Sequence, residues 1–121
     1  MKKYLAILIA LGLSSCGVKL LIQTDPEFAT IYEGGRNYGK APVELSYEIT
    51  KSDKERGYIK TDTITARWLS GATTKEVIKI NYNDGEYQGY TLIRPSDYPN
   101  VEIDANYVQE RTKKQLELKI K

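Results

Sequence analysis

The stretch VELSYEI, residues 43 to 49, decides the fold class of this chain. Its apolar and aromatic residues alternate strictly with Glu44, Ser46 and Glu48. Successive side chains of a strand point to opposite faces, so one face of this segment packs on a core and the other meets water. Pro42 precedes it, where a missing N–H is tolerated at the first position of a strand. The pattern predicts a strand of a half-buried antiparallel sheet.

Further strand-like segments alternate with turn residues along the rest of the chain. Gly34-Gly35 and Asn83-Asp84-Gly85 are typical of tight hairpins, because these residues accept positive φ angles. The second of these turns predicts that residues 87 to 93 return antiparallel to residues 76 to 82. The segments predicted as strands are residues 19–23, 29–33, 43–49, 58–68, 76–82 and 87–93. Six or seven short strands predict a mainly β fold, a small antiparallel β-sandwich.

Two segments have helical features. Residues 51 to 57 predict one helical turn, with Ser52 and Glu55 spaced as a capping box and Gly57 as its end. In the tail, residues 109 to 119 are rich in good helix formers, which favours a short C-terminal helix from Asp104 to Lys119. Alternation of apolar residues in the same tail leaves a hairpin as the alternative.

The composition excludes most familiar active sites. The chain has 121 residues with 40% hydrophobic and 28% charged residues, one Cys and no His, which fits one globular domain. Without His it lacks the commonest general base and metal ligand, and a single Cys forms neither an internal disulfide nor a cysteine zinc site. Asp84 and Glu86 lie near each other but unsheltered, with too few oxygens for a calcium site. We therefore expect no catalytic residue, metal or cofactor, and no enzyme activity.

The first 15 residues have the layout of a secretory signal peptide. Lys2 and Lys3 precede an uncharged, mostly apolar run, and small residues follow it. Even extended to Val18, the uncharged stretch from Tyr4 has 15 residues, short of the roughly 17–25 that a membrane-spanning helix needs. A cleaved leader is therefore favoured over a transmembrane anchor.

The run Leu13-Ser14-Ser15-Cys16 resembles the lipobox of bacterial lipoproteins. The resemblance implies cleavage before Cys16, a diacylglycerol on its thiol and a further acyl chain, such as palmitate, on the new amino terminus. Two or three chains hold a protein stably on a membrane, whereas one does so only marginally. By the same resemblance, the absence of Asp at Gly17 favours the outer membrane. The alternative is ordinary leader cleavage with Cys16 a bystander.

Removal of residues 1 to 15 leaves a formally neutral chain. The basic count falls from 18 to 16, which equals the 16 acidic residues. Nucleic-acid binding usually requires a basic surplus or stripe, and neither is present, so we expect no nucleic-acid partner.

Residues 24 to 47 resemble a PEGA domain, a short module of bacterial surface and envelope proteins. Pro26, Glu27 and Ala29 match the tetrapeptide that names the family, Gly34-Gly35 lie in its hairpin, and Gly39 with Pro42 supply its Gly-x-x-Pro step. Phe28 replaces the glycine of that tetrapeptide, and phenylalanine tolerates a positive φ poorly. The resemblance implies a transthyretin-like sandwich that presents surfaces without catalysis. The expected organisation is a leader (1–15), a lipidated terminus with the first strand (16–23) and a PEGA-like β domain with the C-terminal helix (24–121).

Tyrosines are the remaining candidates for binding. A tyrosine offers a flat apolar face and a hydroxyl, which suit a sugar ring or a protein partner. Tyr38, Tyr87 and Tyr98 are predicted on loops and form the candidate surface, although most tyrosines are expected to be half-buried strand residues. Trp68 is expected to fill the core or its rim, and Arg94 to pair with Asp97 across a turn.

The sequence therefore predicts a lipid-anchored protein of the bacterial envelope. Its expected partners are the membrane, through the lipid, and an envelope protein or cell-wall polymer. The alternative is a module that binds glycan or peptidoglycan through exposed tyrosines.

Overall fold

A computed structural model describes residues 17–120, so the predicted leader and Cys16 lie outside the described residues. The fold is mainly β, with two sheets facing each other across one core, a two-stranded ribbon and a C-terminal helix. The strands are β1 (Gly17–Asp25), β2 (Thr30–Glu33), β3 (Arg36–Lys40), β4 (Val43–Glu48), β5 (Ile59–Lys60), β6 (Ile64–Arg67), β7 (Thr73–Glu76), β8 (Lys79–Ile80) and β9 (Tyr87–Ile93). The helices are α1 (Lys51–Arg56) and α2 (Val101–Ile120), and Tyr82–Asp84 form a 3-10 turn.

Strand β1 is the centre of the first sheet, whose order is β4-β1-β9. Its residues alternate between buried and exposed from Val18 to Asp25, as a strand between core and solvent requires. β4 pairs with it antiparallel, with Gly17 opposite Glu48 and Leu20 opposite Leu45. The strand predicted at residues 43 to 49 is thus confirmed.

The predicted hairpin between residues 76–82 and 87–93 is wrong. β9 pairs instead with β1, and in parallel, from Lys19 opposite Tyr87 to Asp25 opposite Ile93. Asn83 and Asp84 lie in the 3-10 turn and Gly85 follows as its C-cap; the Asn81 side chain caps the start of the turn by accepting from the Asn83 N–H at 3.0 Å. Gln88 then donates its side-chain amide to the carbonyls of Asn81 and Gly85. These bonds hold the turn in a form that carries the chain from β8, in the two-stranded ribbon, to β9 in the first sheet.

The second sheet has the order β3-β2-β6-β7 and is antiparallel throughout. Its first hairpin turns at Gly34-Gly35, with φ angles of 57° and 83°, as the sequence predicts. The long strand expected over residues 58–68 is divided into β5 and β6 around Thr61. Thr61 forms two hydrogen bonds with Ile78: the Thr61 N–H donates to the Ile78 carbonyl, and the Thr61 hydroxyl accepts from the Ile78 N–H, both at 3.0 Å. The predicted strand 76–82 is likewise broken, and only β8 and Glu76 lie in strands.

The core lies between the two sheets. Trp68 is 3% exposed, and its indole Nε1 donates to the Pro26 carbonyl at 2.7 Å, so its predicted place in the core is confirmed. The buried hydrophobic residues that pack together are Val18, Leu20, Ile22, Ala29, Ile31, Ala41, Leu45, Ile59, Ile64, Ala66, Trp68, Ala72, Ile78, Ile80 and Leu92.

Helix α1 forms where predicted but uses another cap. Thr50 is the N-cap: its hydroxyl accepts from the Asp53 N–H at 3.1 Å, and the Asp53 carboxylate accepts from the Thr50 N–H at 2.9 Å. The box is therefore Thr50–Asp53 and not Ser52–Glu55. Asp53 is buried and also binds Arg56 at 2.5 Å, which fixes its side chain on the cap. Gly57 ends the helix at a φ of 93°, as predicted.

Helix α2 confirms the helical prediction for the tail and excludes the hairpin. It begins at Val101, three residues before the predicted start at Asp104. Only Asp104, Tyr107, Val108 and Arg111 are buried or half-buried, and residues 112–120 are all exposed. The helix therefore contacts the sandwich through one face of its first three turns, and its last turns extend beyond it.

Candidate functional site

Strand β1 begins at the residue that follows Cys16. Gly17 is opposite Glu48, the last residue of β4, and the Lys19 N–H donates to the Glu86 carbonyl at 2.7 Å. A Cβ on Gly17 would lie 2.8 Å from the Tyr47 carbonyl oxygen, closer than atoms pack, so glycine is required by this approach. No linker separates position 16 from the sheet.

Tyr87 flanks a shallow hollow on the outer face of the first sheet. The ring is 70% exposed, and Lys19 Nζ lies 5.7 Å from its centroid. Gly89 has no side chain and leaves the floor open, while Lys19 and Glu44 approach each other to 4.0 Å across the hollow. The hollow has a volume of about 300 Å³ and is lined by Lys19, Leu21, Glu44, Tyr87, Gln88 and Gly89. An aromatic wall beside charged groups is suited to a polar ligand with an apolar face.

The three candidate tyrosines are all exposed but lie in three separate elements. The prediction that they occupy loops is wrong for two of them, since Tyr38 is in β3 and Tyr87 opens β9, as the strand predicted at residues 87–93 requires. Tyr98 is in the β9–α2 loop, with its hydroxyl against Gly71. Each ring has a cation near its face: Arg36 by Tyr38 at 5.5 Å and Arg94 by Tyr98 at 5.7 Å, besides the Lys19–Tyr87 pair. The fold does not gather them into one surface, and only Tyr87 borders a hollow described here.

A second hollow lies at the opposite end of β1 and was missed by the sequence analysis. It has a volume of about 340 Å³ and offers the Gln23 amide, the Glu27 carboxylate and the Thr91 hydroxyl beside apolar groups. Its lining residues are Gln23, Thr24, Glu27, Phe28, Ala41, Pro42 and Thr91. They come from three distant segments, so no local sequence signal marks them.

Phe28 adopts the glycine conformation of the tetrapeptide despite its side chain. Its φ is 69°, and its ring is buried beneath the Arg111 guanidinium, 5.0 Å from the ring centroid. A positive φ in a bulky residue is strained. Burial of the ring and its contact with α2 offset that strain. The turn at Phe28 therefore keeps a positive φ, although the sequence analysis expects phenylalanine to tolerate one poorly.

Arg94 and Asp104 form a buried ion pair that fixes the start of α2, and Arg94 does not pair with Asp97 as predicted. Arg94 Nε donates to Asp104 Oδ2 at 2.5 Å, and its other nitrogens donate to the carbonyls of Pro95, Tyr98 and Pro99. The Ser70 hydroxyl donates to the same carboxylate at 2.6 Å. Every donor group of the guanidinium is thus held by a local partner, and this cluster is structural.

The Asp104 carboxyl is ionised in this setting. Its burial favours the neutral form, but hydrogen bonds from Ser70 and Arg94 outweigh that effect and hold its pKa below the ordinary value.

Within residues 17–120 no group of three or more His, Cys, Asp or Glu is placed to hold a metal ion. Asp84 ends the 3-10 turn and Glu86 follows it, and both side chains are exposed. Across the described part of the chain no helix is long and apolar enough to cross a membrane.

A comparison with known protein families found a match for the first part of the described fold. The PEGA domain family model matches residues 18–52, which run from β1 to the first residues of α1. Residues 18–52 are therefore similar to a PEGA domain, which agrees with the resemblance noted over residues 24–47. Neither the curated proteins nor the solved structures gave a match.

Proposed function

We propose that this chain is a lipid-anchored protein of the bacterial cell envelope, a non-catalytic structural or protein-interaction module held on the membrane through Cys16. The observation that carries the proposal is the lipobox-like run Leu13-Ser14-Ser15-Cys16 placed directly before the first strand of a PEGA-like domain. Cys16 immediately precedes Gly17, the first residue of β1, so a lipid on its thiol would lie at the start of the sheet. Gly17 favours the outer membrane as destination.

The anchor would set the orientation of the domain. β1 starts beside the lipid and has 9 residues, which at about 3.3 Å per residue place its far end roughly 30 Å away. The end with Phe28 and α2 would then be the one presented to an envelope protein or cell-wall polymer, and the 3-10 turn would lie near the lipid headgroups.

Acyl labelling in cells tests the anchor. The wild-type chain and a Ser15→Ala variant, which keeps a small residue before the cysteine, should incorporate labelled palmitate and yield a mature mass that starts at Cys16 with its acyl groups. A Cys16→Ser variant should lose the label. An unmodified thiol in the mature wild-type protein, or a leader still attached, would refute the proposal.

A second candidate function is glycan or peptidoglycan binding at the Tyr87 hollow. It is favoured by the 70% exposure of Tyr87 beside the open backbone of Gly89. Cosedimentation with purified peptidoglycan should be saturable in wild type and in Tyr87→Phe, which keeps the ring, and lost in Tyr87→Ala. Absence of binding by the wild-type protein would reject this function and leave the lipid anchor untouched.

A further inference from the structure

Helix α2 has an apolar stripe that the sandwich does not cover. At 3.6 residues per turn, the contacting residues from Asp104 to Arg111 form one face, and the stripe lies roughly a third of a turn away. Leu116 is 55% exposed and Ile120 84%. The apolar residues of the stripe are Val101, Ala105, Leu116 and Ile120, with the polar side chains of Thr112 and Lys119 among them.

The last turns of α2 have only solvent around them in the described part of the chain, where residues 112–120 are all exposed. Most of the stability of a helix in a protein comes from packing an amphipathic face, and these turns of α2 pack against nothing in the described residues. The exposed stripe therefore has room for a partner along the full length of α2, some 30 Å for its 20 residues.

The charges of α2 divide at its middle. Residues 101–110 contain three acidic and no basic residues, whereas residues 111–120 contain four basic and one acidic. The order also complements the helix dipole. Two copies of α2 laid antiparallel would place the acidic half of each beside the basic half of the other, and a parallel pair would oppose like charges.

We propose that the stripe of α2 is the contact surface for a second copy of this chain, with the two helices antiparallel about a two-fold axis. Such an isologous contact uses one patch twice and closes on itself. An anionic membrane fits the stripe less well, because the acidic half of α2 would be repelled by it. The proposal does not depend on the lipid anchor.

Sedimentation of residues 17–121, which contain the whole core and every described helix and strand, measures the association. We expect a reversible dimer that Leu116→Glu reduces to monomer. Leu118→Glu is the matched control: Leu118 is 75% exposed but lies 200° around the helix from Leu116. It should leave the dimer unchanged.

Charge exchange tests the antiparallel arrangement. One variant carries Lys113→Glu with Lys119→Glu, so both halves of α2 are acidic. The other carries Glu102→Lys with Glu110→Lys, so both halves are basic. Each variant alone should be monomeric, and an equimolar mixture should form a heterodimer, with circular dichroism showing that both remain folded.

Three results would overturn the proposal. These are a wild-type chain that stays monomeric to about 1 mM, equal loss of association in Leu116→Glu and Leu118→Glu, or charge variants that associate with themselves as well as with each other. A monomer that binds anionic vesicles would assign the stripe to the membrane instead.

Discussion

The carboxylate of Asp104 in α2 accepts a hydrogen bond of 2.5 Å from Nε of Arg94, ten residues earlier, and both side chains are almost fully buried. This pair joins the end of β9 to the start of the C-terminal helix. Because the guanidinium also donates to three backbone carbonyls of the intervening loop, one side chain fixes the loop and the helix together.

Asp104→Asn should destabilise the protein by about 3 kcal/mol, since it leaves the buried Arg94 charge uncompensated. The low pKa of Asp104 gives the sign of its pH dependence. The ionised Asp104 carboxylate contributes its full stabilisation at pH values above the pKa of an aspartate in the unfolded chain, about 3.9. That stabilisation is lost as the pH falls through the lower pKa of Asp104 in the folded protein. Urea unfolding at neutral and acidic pH measures both effects, and the difference between wild type and variant should shrink in acid.

Asp97→Asn is the matched control for this pair. Asp97 is exposed and is the partner that the sequence predicts for Arg94, so its replacement should change stability by less than about 0.5 kcal/mol. Equal effects of the two substitutions would contradict the assignment of the ion pair.

Two tyrosine–glutamate bonds join the sheets at opposite sides of the sandwich. Tyr47 of β4 donates to Glu33 of β2 at 2.7 Å, and Tyr90 of β9 donates to Glu76 of β7 at 3.0 Å. Burial, followed by the bond to Glu33, raises the pKa of Tyr47 well above its ordinary range. A raised pKa favours the folded protein below the unfolded value of about 10, and this stability is lost as the pH rises further.

Tyr47→Phe should therefore lower stability at pH 7 by about 1–3 kcal/mol, because it removes a hydrogen bond to a charged group. It should also flatten the alkaline loss of stability above about pH 10. Chemical unfolding across the alkaline range measures both the loss at pH 7 and the change in the alkaline profile. Tyr87→Phe, at an exposed ring that does not join the two sheets, serves as control. An unchanged alkaline profile would exclude the role assigned to Tyr47.

Phe28→Gly introduces the glycine that the PEGA tetrapeptide has at this position and relieves the positive φ, yet it should destabilise the protein by about 1–2 kcal/mol. The lost burial of a phenyl ring, about 1.5–3 kcal/mol, exceeds the strain that glycine removes. Hydrogen exchange should become faster in α2 near Arg111, whose contact with the ring is lost. A stabilised variant would mean that strain dominates at this turn.

Thr50→Ala should cost about 1 kcal/mol through the loss of the N-cap of α1, whereas Ser52→Ala should be nearly neutral. Thermal unfolding of the two variants compares the observed cap with the one that the sequence predicts. The reverse order of effects would favour Ser52 as the cap.

Local patterns predicted local structure well. The alternation in residues 43–49 and the helix-forming residues of the tail correspond to β4 and α2, because these signals depend on neighbours a few residues apart. Partner choice was harder to predict. Asn83-Asp84-Gly85 correctly indicates a turn, but nothing near it shows that β9 pairs with β1.

The candidate site was predicted only in part for the same reason. Exposure of Tyr38, Tyr87 and Tyr98 was foreseen, but two of the three proved to lie in strands. Arg94 was assigned the nearest carboxylate, Asp97, since a partner in a helix not yet placed gives no sequence signal. The second hollow is assembled from segments around Gln23, Ala41 and Thr91, which only the folded chain brings together.

The parallel pairing of β1 with β9 has a consequence for biogenesis. The first sheet receives β9 only after residues 87–93 leave the ribosome. Its middle strand, β1, is made before every other described strand. Pairings this distant in sequence form slowly, because the intervening chain must be ordered first. Until β9 has been made, β1 should therefore have only one of its two neighbours, β4, to pair with.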